Sequence, residues 1–344
     1  MEKIKAISYG IGAVGGFIAK FLMEKEGIEI VGAVDVAEDK VGKDLGEVLG
    51  LRKKVGVKIS RNVESVLQKT RADIAVHATS SYLRDTYPQI AGILKQGVNV
   101  VSTCEELSYP HVSEPELAEK LDSLAKKHDV TVLGTGINPG FLMDTLVITL
   151  TAPCERVEKI EVTRVMNAAT RRLPFQRKIG AGLTVEEFRE KIRKKHITGH
   201  VGLEQSIAII SGALAWKLDR ILIQPVEPVI AKKTVESKDI RVTAGKVAGL
   251  KQKAKGLMKG TEVIALDFQA YIGAEEEYDA IEIKGTPNIS QKIQPCVHGD
   301  IGTVAVIVNA IPKVINAPAG LLTMKDLPVP SATPQDMREY IKTD

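Results

Sequence analysis

Glycines 10, 12 and 15 stand in the run Tyr9-Gly10-Ile11-Gly12-Ala13-Val14-Gly15-Gly16, a spacing that brings a tight chain turn against a pyrophosphate. Gly10 permits the turn, Gly12 removes the side chain where a phosphate presses, and Gly15 lets the next helix lie close to the preceding strand. Ala13 and Val14 open that helix, so their amides sit at its positive end. Asp35 lies 20 positions past Gly15, at the end of the second apolar run, where a ribose 2′-hydroxyl is expected. Together these residues predict NAD or NADP as cofactor. The Asp35 charge disfavours a 2′-phosphate, whereas Lys40 and Lys43 offset it and leave both dinucleotides open.

Other candidates follow the ends of apolar runs. Glu105 and Glu106 come just after the run 98–102, beyond Thr103 and Cys104, and a carboxylate there can act as a base or attract a cation. Thr79 and Ser80 follow the run 74–77 and are placed on the ribose–nicotinamide side. Asn138 sits in Thr135-Gly136-Ile137-Asn138-Pro139-Gly140, whose glycines suit a backbone pressed against the nicotinamide and whose Asn-Pro pair can also cap a helix. In the second half Arg171, Arg172 and Arg177, with Lys178, offer the cationic forks that grip a carboxylate. His298 is a further candidate for substrate contact, while Asp300 reads as the N-cap of a helix beginning near Ile301.

Positioning these groups takes two domains. Strands are expected at 4–9, 28–35, 74–77, 98–102 and 130–133, with helices at 14–25 and 114–128 between them. That rhythm makes an N-terminal α/β domain over 1–140, a Rossmann parallel sheet covered on both faces. A helix from Asn138 through Leu150 then leads into a substrate-binding and oligomerisation domain, 141–310, of α+β type with a mixed open sheet. Its strands are read at 159–166, 220–231, 262–270 and 280–284, and its helices at 184–195 and 203–216. Thr184 and Glu187 form a capping box. An apolar helix spans 301–311, Pro312 stops it, and the segment 311–344 returns to the first domain.

Composition narrows the class. The 344 residues carry a net charge of +4, which argues against a nucleic-acid surface. No apolar stretch is long enough to span a membrane, and the N-terminus runs straight into a strand, so a cytoplasmic protein is expected. Cys104, Cys154 and Cys296 are far apart and form neither a disulfide framework nor a metal site. Cys104 has no neighbouring histidine and reads as a small buried residue rather than a nucleophile.

Several segments resemble those of 2,4-diaminopentanoate dehydrogenases, a family grouped with dihydrodipicolinate-reductase-like proteins and including native amine dehydrogenases. They are 100–110 (VVSTCEELSYP), 138–144 (NPGFLMD), 176–184 (QRKIGAGLT), 308–312 (VNAIP) and 318–328 (PAGLLTMKDLP). The resemblance implies oxidative deamination at C4 of 2,4-diaminopentanoate to 2-amino-4-oxopentanoate and ammonia, within ornithine degradation, by a homodimer. Such chemistry needs a group that attracts the cationic amine and takes a proton from the water attacking the iminium. Relatives of the homoserine-dehydrogenase type place a functional lysine at the matching strand end, which favours Glu105 over Glu106. The arginines and His298 would then hold the substrate. The Lys/His stretch of true dihydrodipicolinate reductases is absent. Alternatives are a dehydrogenase of another amine or ketone, a homoserine- or semialdehyde-dehydrogenase-like enzyme, and a non-catalytic NAD(P)-sensing protein.

Overall fold

Short runs rich in valine, isoleucine and alanine set the strands of the first third, and polar amphipathic stretches set the helices between them. The protein is described here by a computed structural model covering residues 2–342. In chain order it forms β1 (Ile4–Tyr9), α1 (Ala13–Glu24), β2 (Ile28–Val34), α2 (Leu45–Val48), β3 (Ile59–Ser60) and α3 (Val63–Leu67). Next come β4 (Ile74–His77), α4 (Leu83–Leu94), β5 (Asn99–Ser102), α5 (Pro115–Lys127) and β6 (Thr131–Gly134). The middle of the chain holds α6 (Thr145–Leu150), β7 (Arg156–Asn167), α7 (Leu173–Lys178), α8 (Val185–Arg193), α9 (Leu203–Ala213), β8 (Arg220–Ile223) and β9 (Glu227–Ile230). It continues with β10 (Val235–Glu236), β11 (Arg241–Val242), β12 (Val247–Met258), β13 (Thr261–Tyr271), β14 (Tyr278–Thr286) and β15 (Ile289–Ile293). The helix α10 (Gly299–Ile315) and the strand β16 (Gly320–Leu322) follow.

Residues up to Phe141 and those from Gly299 onward form one unit, and Leu142–His298 form the other. The first unit holds a sheet in the order β16-β6-β5-β4-β1-β2-β3, with every pairing parallel. This is the Rossmann order with a seventh strand added at one edge. The order reverses between β1 and β4, so the glycine loop after β1 lies at the switch point where such sheets bind ligands. One face is covered by α1 and α10, through Ile18, Leu22, Val304, Ile307, Val308 and Ile311. Leu83, Ile90 and Ile93 of α4 and Leu121 of α5 cover the other.

Three expectations at the end of this unit change. The boundary lies after His298 rather than at 310, because the apolar face of α10 packs on α1 and on β4, β5 and β6. Asp300 is not an N-cap: α10 begins at Gly299, which places Asp300 in its first turn. Nor does Pro312 stop the helix, which runs to Ile315. The ring is buried, and Ile311 and Val314 are fully buried beside it, so tertiary packing outweighs the backbone hydrogen bond that proline removes. Beyond Pro328 the chain stays on this unit. Thr333 donates to Asn309 Oδ1 from both N–H (3.0 Å) and Oγ1 (2.8 Å), and Met337 is fully buried.

The second unit is built on a mixed sheet, β15-β14-β7-β13-β12-β8, with β9 also paired to β12. Only β7 and β13 run parallel among these pairings. Ile160, Val162, Ile264 and Leu266 point to the buried face, against which α9 packs. The alternate residues carry ion pairs such as Lys253–Asp267 (2.9 Å) and Lys255–Glu262 (2.6 Å). The helix expected from Asn138 to Leu150 shrinks to α6. Gly140 at φ +122° interrupts it, and Asp144 Oδ1 accepts the Thr145 N–H (2.6 Å) as the true cap. The strand expected at 220–231 divides into β8 and β9 around Pro225. The Thr184–Glu187 capping box is present in both its bonds, of 2.8 and 3.2 Å.

Candidate active site

The three glycines of the loop serve different ends. A Cβ on Gly15 would lie 1.8 Å from Gly10 O, and one on Gly10, at φ +87°, would lie 2.3 Å from Ala78 O. Backbone fills both spaces, so those two glycines are demanded by the protein's own packing. Gly12 is different: a Cβ there meets nothing within 4 Å. The open space lies at the N-terminus of α1, where Gly12 is the N-cap and offers no side-chain acceptor to the amides of the first turn, which include Ala13 and Val14. Room and unclaimed helix-terminal donors fit a pyrophosphate. At the end of β6 the buried Thr135 Oγ1 also has no hydrogen-bond partner among the described residues, a polar atom left for a group the chain does not supply. These features fit a bound dinucleotide.

Asp35 is drawn into the loop. Its Oδ2 accepts from Ile11 N–H (2.7 Å) and Lys40 Nζ (3.0 Å), and Oδ1 accepts from Ala37 N–H (2.9 Å). Burial opposes its charge, but bonds from the Ala37 amide, Lys40 and the Ile11 amide outweigh this and hold the carboxyl below its ordinary range. Lys40 also donates to Ile11 O (2.9 Å), so the cation bridges the acid and the turn. The negative charge that would repel a 2′-phosphate is therefore already paired. Asp35→Ser releases Lys40 and removes the carboxylate expected to accept from a ribose hydroxyl. The expected result is a shift of the NADP/NAD ratio of kcat/KM toward NADP by ~10–100-fold, the worth of one or two charge-assisted hydrogen bonds. Steady-state kinetics with both cofactors measures it, and an unchanged ratio places Asp35 outside the adenosine pocket.

The hydroxyls of Thr79 and Ser80 are hydrogen-bonded to other side chains of the same unit. Thr79 Oγ1 donates to Gln89 Oε1 (2.8 Å) and Ser80 Oγ to Asp85 Oδ2 (2.8 Å). Both residues stand at the carboxyl end of β4, but their side chains are engaged in shaping the loop. Asn138 lies in the turn after β6.

Glu105 and Glu106, both half-buried, follow β5 in a loop tied down on several sides. Cys104 N–H donates to Ser102 Oγ (3.1 Å), Thr103 N–H to His77 O (3.0 Å) and Glu106 N–H to Ser81 O (3.2 Å). Gly134 of β6 admits the turn at close range, since a Cβ there would lie 2.4 Å from the Leu107 carbonyl carbon. The two carboxylates have separate duties. Glu106 Oε2 accepts the Leu83 N–H at the start of α4 (2.7 Å), and burial raises its pKa. Glu105 begins the short 3-10 turn, and its carbonyl accepts from Ser108 Oγ (2.7 Å). Burial pushes the Cys104 thiol up to about 12, so no thiolate forms there, as a semialdehyde-dehydrogenase mechanism would require.

In the second unit the structure separates the arginines chosen from sequence. Arg171 is buried, with its guanidinium 4.2 Å from the Phe175 ring centroid. Arg172 stands at the N-cap of α7, and Arg177 and Lys178 are exposed in its last turn, where cations favour the carbonyl end. His298 Nδ1 is buried without a partner among the described residues. Sequence reasoning missed a second buried arginine. Arg164, on the inward face of β7, donates Nη1 to Asp279 Oδ1 (2.6 Å) and Nη2 to Val297 O (2.5 Å). Its position four residues beyond Ile160 and two beyond Val162, in the same alternation, was the available signal. Nearby on β13 Phe268 stacks on His200 at 4.2 Å, and burial pushes that imidazole down to about 3. Among the described residues no group of three or more His, Cys, Asp or Glu is placed to hold a metal, and no helix is long and apolar enough to cross a membrane.

Comparison with known proteins covers both units. Residues 4–132 match the model of the dihydrodipicolinate reductase N-terminus, and residues 141–343 match the 2,4-diaminopentanoate dehydrogenase C-terminal domain. A 2,4-diaminopentanoate dehydrogenase of Acetoanaerobium sticklandii is 40% identical over 356 aligned positions, covering 100% of this chain and 99% of the relative. The solved structure of an amine dehydrogenase from Mycobacterium smegmatis superposes with a TM-score of 0.84 at 30% identity, over 96% of this chain and 98% of that one. A 4-hydroxy-tetrahydrodipicolinate reductase of Methanococcus vannielii is 34% identical over 99 residues, 28% of this chain and 36% of its own length. That likeness covers little more than a quarter of the chain, whereas the amine-dehydrogenase likeness covers nearly all of it. With a dinucleotide cradle at the switch point and a carboxylate loop beside it on the same sheet edge, the chain belongs to the 2,4-diaminopentanoate dehydrogenase family of NAD(P)-dependent oxidoreductases.

Proposed function

We propose that the protein oxidatively deaminates 2,4-diaminopentanoate at C4, with NAD or NADP, to 2-amino-4-oxopentanoate and ammonia, and aminates the ketone in reverse. The observation that carries this reading is the 40% identity to a 2,4-diaminopentanoate dehydrogenase across the full length of the chain, second unit included. The bound nicotinamide supplies a hydride acceptor for the carbon that bears the amine. Gly12 and the first amides of α1 hold the pyrophosphate, and Asp35 with Lys40 holds the adenosine ribose. Glu105, at the carboxyl edge of the parallel sheet, attracts the cationic amine and takes a proton from the water that attacks the iminium. Glu106 keeps the loop in register through Leu83. In the second unit Arg171 and His298 are the strongest of the sequence-chosen groups for the substrate carboxylate. Arg171 combines charge with burial, and His298 has an unsatisfied ring nitrogen. By resemblance the enzyme serves ornithine breakdown in the cytoplasm as a homodimer.

Mixing the protein with NAD or NADP and 2,4-diaminopentanoate, and following absorbance of the reduced nicotinamide, tests the reading directly. The expected result is turnover with this diamine well above that with simple monoamines lacking a carboxylate. Equal or better rates with the monoamines would overturn the substrate assignment.

A further inference from the structure

Three side chains stand in one row at the carboxyl edge of the parallel sheet. Tyr9 of β1, His77 of β4 and Ser102 of β5 are register neighbours. His77 is fully buried, with its ring centroid 5.1 Å from that of Tyr9. Its Nδ1 lies 2.9 Å from Ser102 Oγ, and its Nε2 lies 2.7 Å from Gln89 Oε1 of α4 and 3.1 Å from Thr79 Oγ1.

The donors available fix where the protons are. Ser102 Oγ accepts the Cys104 N–H, and its own proton goes to Nδ1 of His77 when the ring proton sits on Nε2. Gln89 Oε1 can only accept, so Nε2 carries the ring proton, and Thr79 Oγ1 donates to the same oxygen. The neutral Nε2–H tautomer therefore satisfies every partner, and a second ring proton would leave the Ser102 hydroxyl without its acceptor. Burial acts in the same direction and pushes this imidazole down to about 4.

We propose that His77 is a positioning residue for Glu105, acting through the Ser102 hydroxyl and the Cys104 amide, an inference that rests on the role given to Glu105 above. The Ser102 hydroxyl can turn freely unless an acceptor fixes it. With His77 in place its lone pair faces the Cys104 N–H, one residue before Glu105. The His77 carbonyl takes the Thr103 N–H (3.0 Å), so the same residue holds the start of the loop from its backbone as well. A leucine would fill the volume equally well, but it would neither fix the hydroxyl nor satisfy Gln89. A neutral hub also adds no charge beside the carboxylate it positions.

Four variants test this: H77L, H77N, S102A and H77L in an E105Q background. Asparagine places an oxygen near the position of Nδ1 and can still accept from Ser102. H77L and S102A are expected to lower kcat by ~10–100-fold, as for a sub-ångström to ångström misplacement of a reacting group. Dinucleotide Kd and the KM for the amine should stay within about twofold. H77N should recover most of the loss. In E105Q, already slow, H77L should cost nothing more, because the residue it positions is gone. Equal losses in H77N and H77L would overturn the proposal, as would a full additional loss from H77L in an impaired E105Q enzyme. An E105Q enzyme with wild-type turnover would instead overturn the Glu105 reading and this proposal with it.

Discussion

Replacing Glu105 by glutamine is expected to lower kcat for amine oxidation by ~10²–10⁴-fold, the usual cost of losing a positioned general acid–base group. Glutamine keeps the size and one acceptor oxygen but loses the charge and the basicity on which the role proposed for Glu105 depends. Dinucleotide Kd should hardly move, because the phosphate cradle is built from other residues after β1. Glu106→Gln is the matched comparison. The glutamine oxygen can still accept the Leu83 N–H, so the loop stays tied and the loss should be much smaller. Steady-state kinetics of both variants decides between the two carboxylates. A large loss confined to Glu106→Gln would reverse their roles, and two near-normal enzymes would remove the catalytic assignment altogether.

Gly12→Val should have the opposite signature: a stable protein that no longer binds its cofactor. The backbone at Gly12 has φ −79°, open to any residue, and nothing lies within 4 Å of the position its Cβ would take. A valine therefore fits the free protein but occupies the space beside the first turn of α1. Dinucleotide Kd is expected to rise on the order of 100-fold or more, about 3 kcal/mol, while the thermal midpoint changes little. Gly15→Val supplies the contrast. Its Cβ would lie 1.8 Å from Gly10 O, so this variant should fail by unfolding. Fluorescence titration with the cofactor, together with thermal melts, separates the cases. Near-wild-type affinity in Gly12→Val would contradict the pyrophosphate assignment.

The parts of this fold legible in the sequence were those whose signal is local. The glycine spacing, the apolar runs of β1, β2 and β4–β6, and the Thr184–Glu187 cap each concern a few adjacent residues. β12 escaped because its central stretch, Leu250-Lys251-Gln252-Lys253-Ala254-Lys255, is poor in β-branched and aromatic residues. Its lysines point to the face carrying ion pairs, and the register with β13 makes the strand. β16 is only three residues long and has meaning only beside β6. The course of α10 through Pro312 depended on what its apolar face would meet.

The same division runs through the site. Type and spacing singled out the glycine loop, Asp35 and the Glu pair as candidates. They could not tell that Lys40 neutralises Asp35, that Glu106 caps α4, or that His77 and Ser102 are neighbours across two strands. Those relations depend on register. Arg177 was chosen by type and proved to be an exposed helix-end cation, whereas Arg164 was overlooked inside a strand and is among the most buried side chains of the molecule.

The return of α10 and β16 to the first sheet bears on how the protein is made. On the ribosome β1 to β6 emerge first, yet the sheet face lined by Val76, Val101 and Leu133 has no α10 to cover it until 142–298 have been synthesised. The second unit is one continuous stretch and can close on itself in the meantime. The nascent dinucleotide-binding half is thus the earliest to begin folding and the last to finish. During that interval α1 alone covers this face, and the part that α10 will bury stays open to solvent.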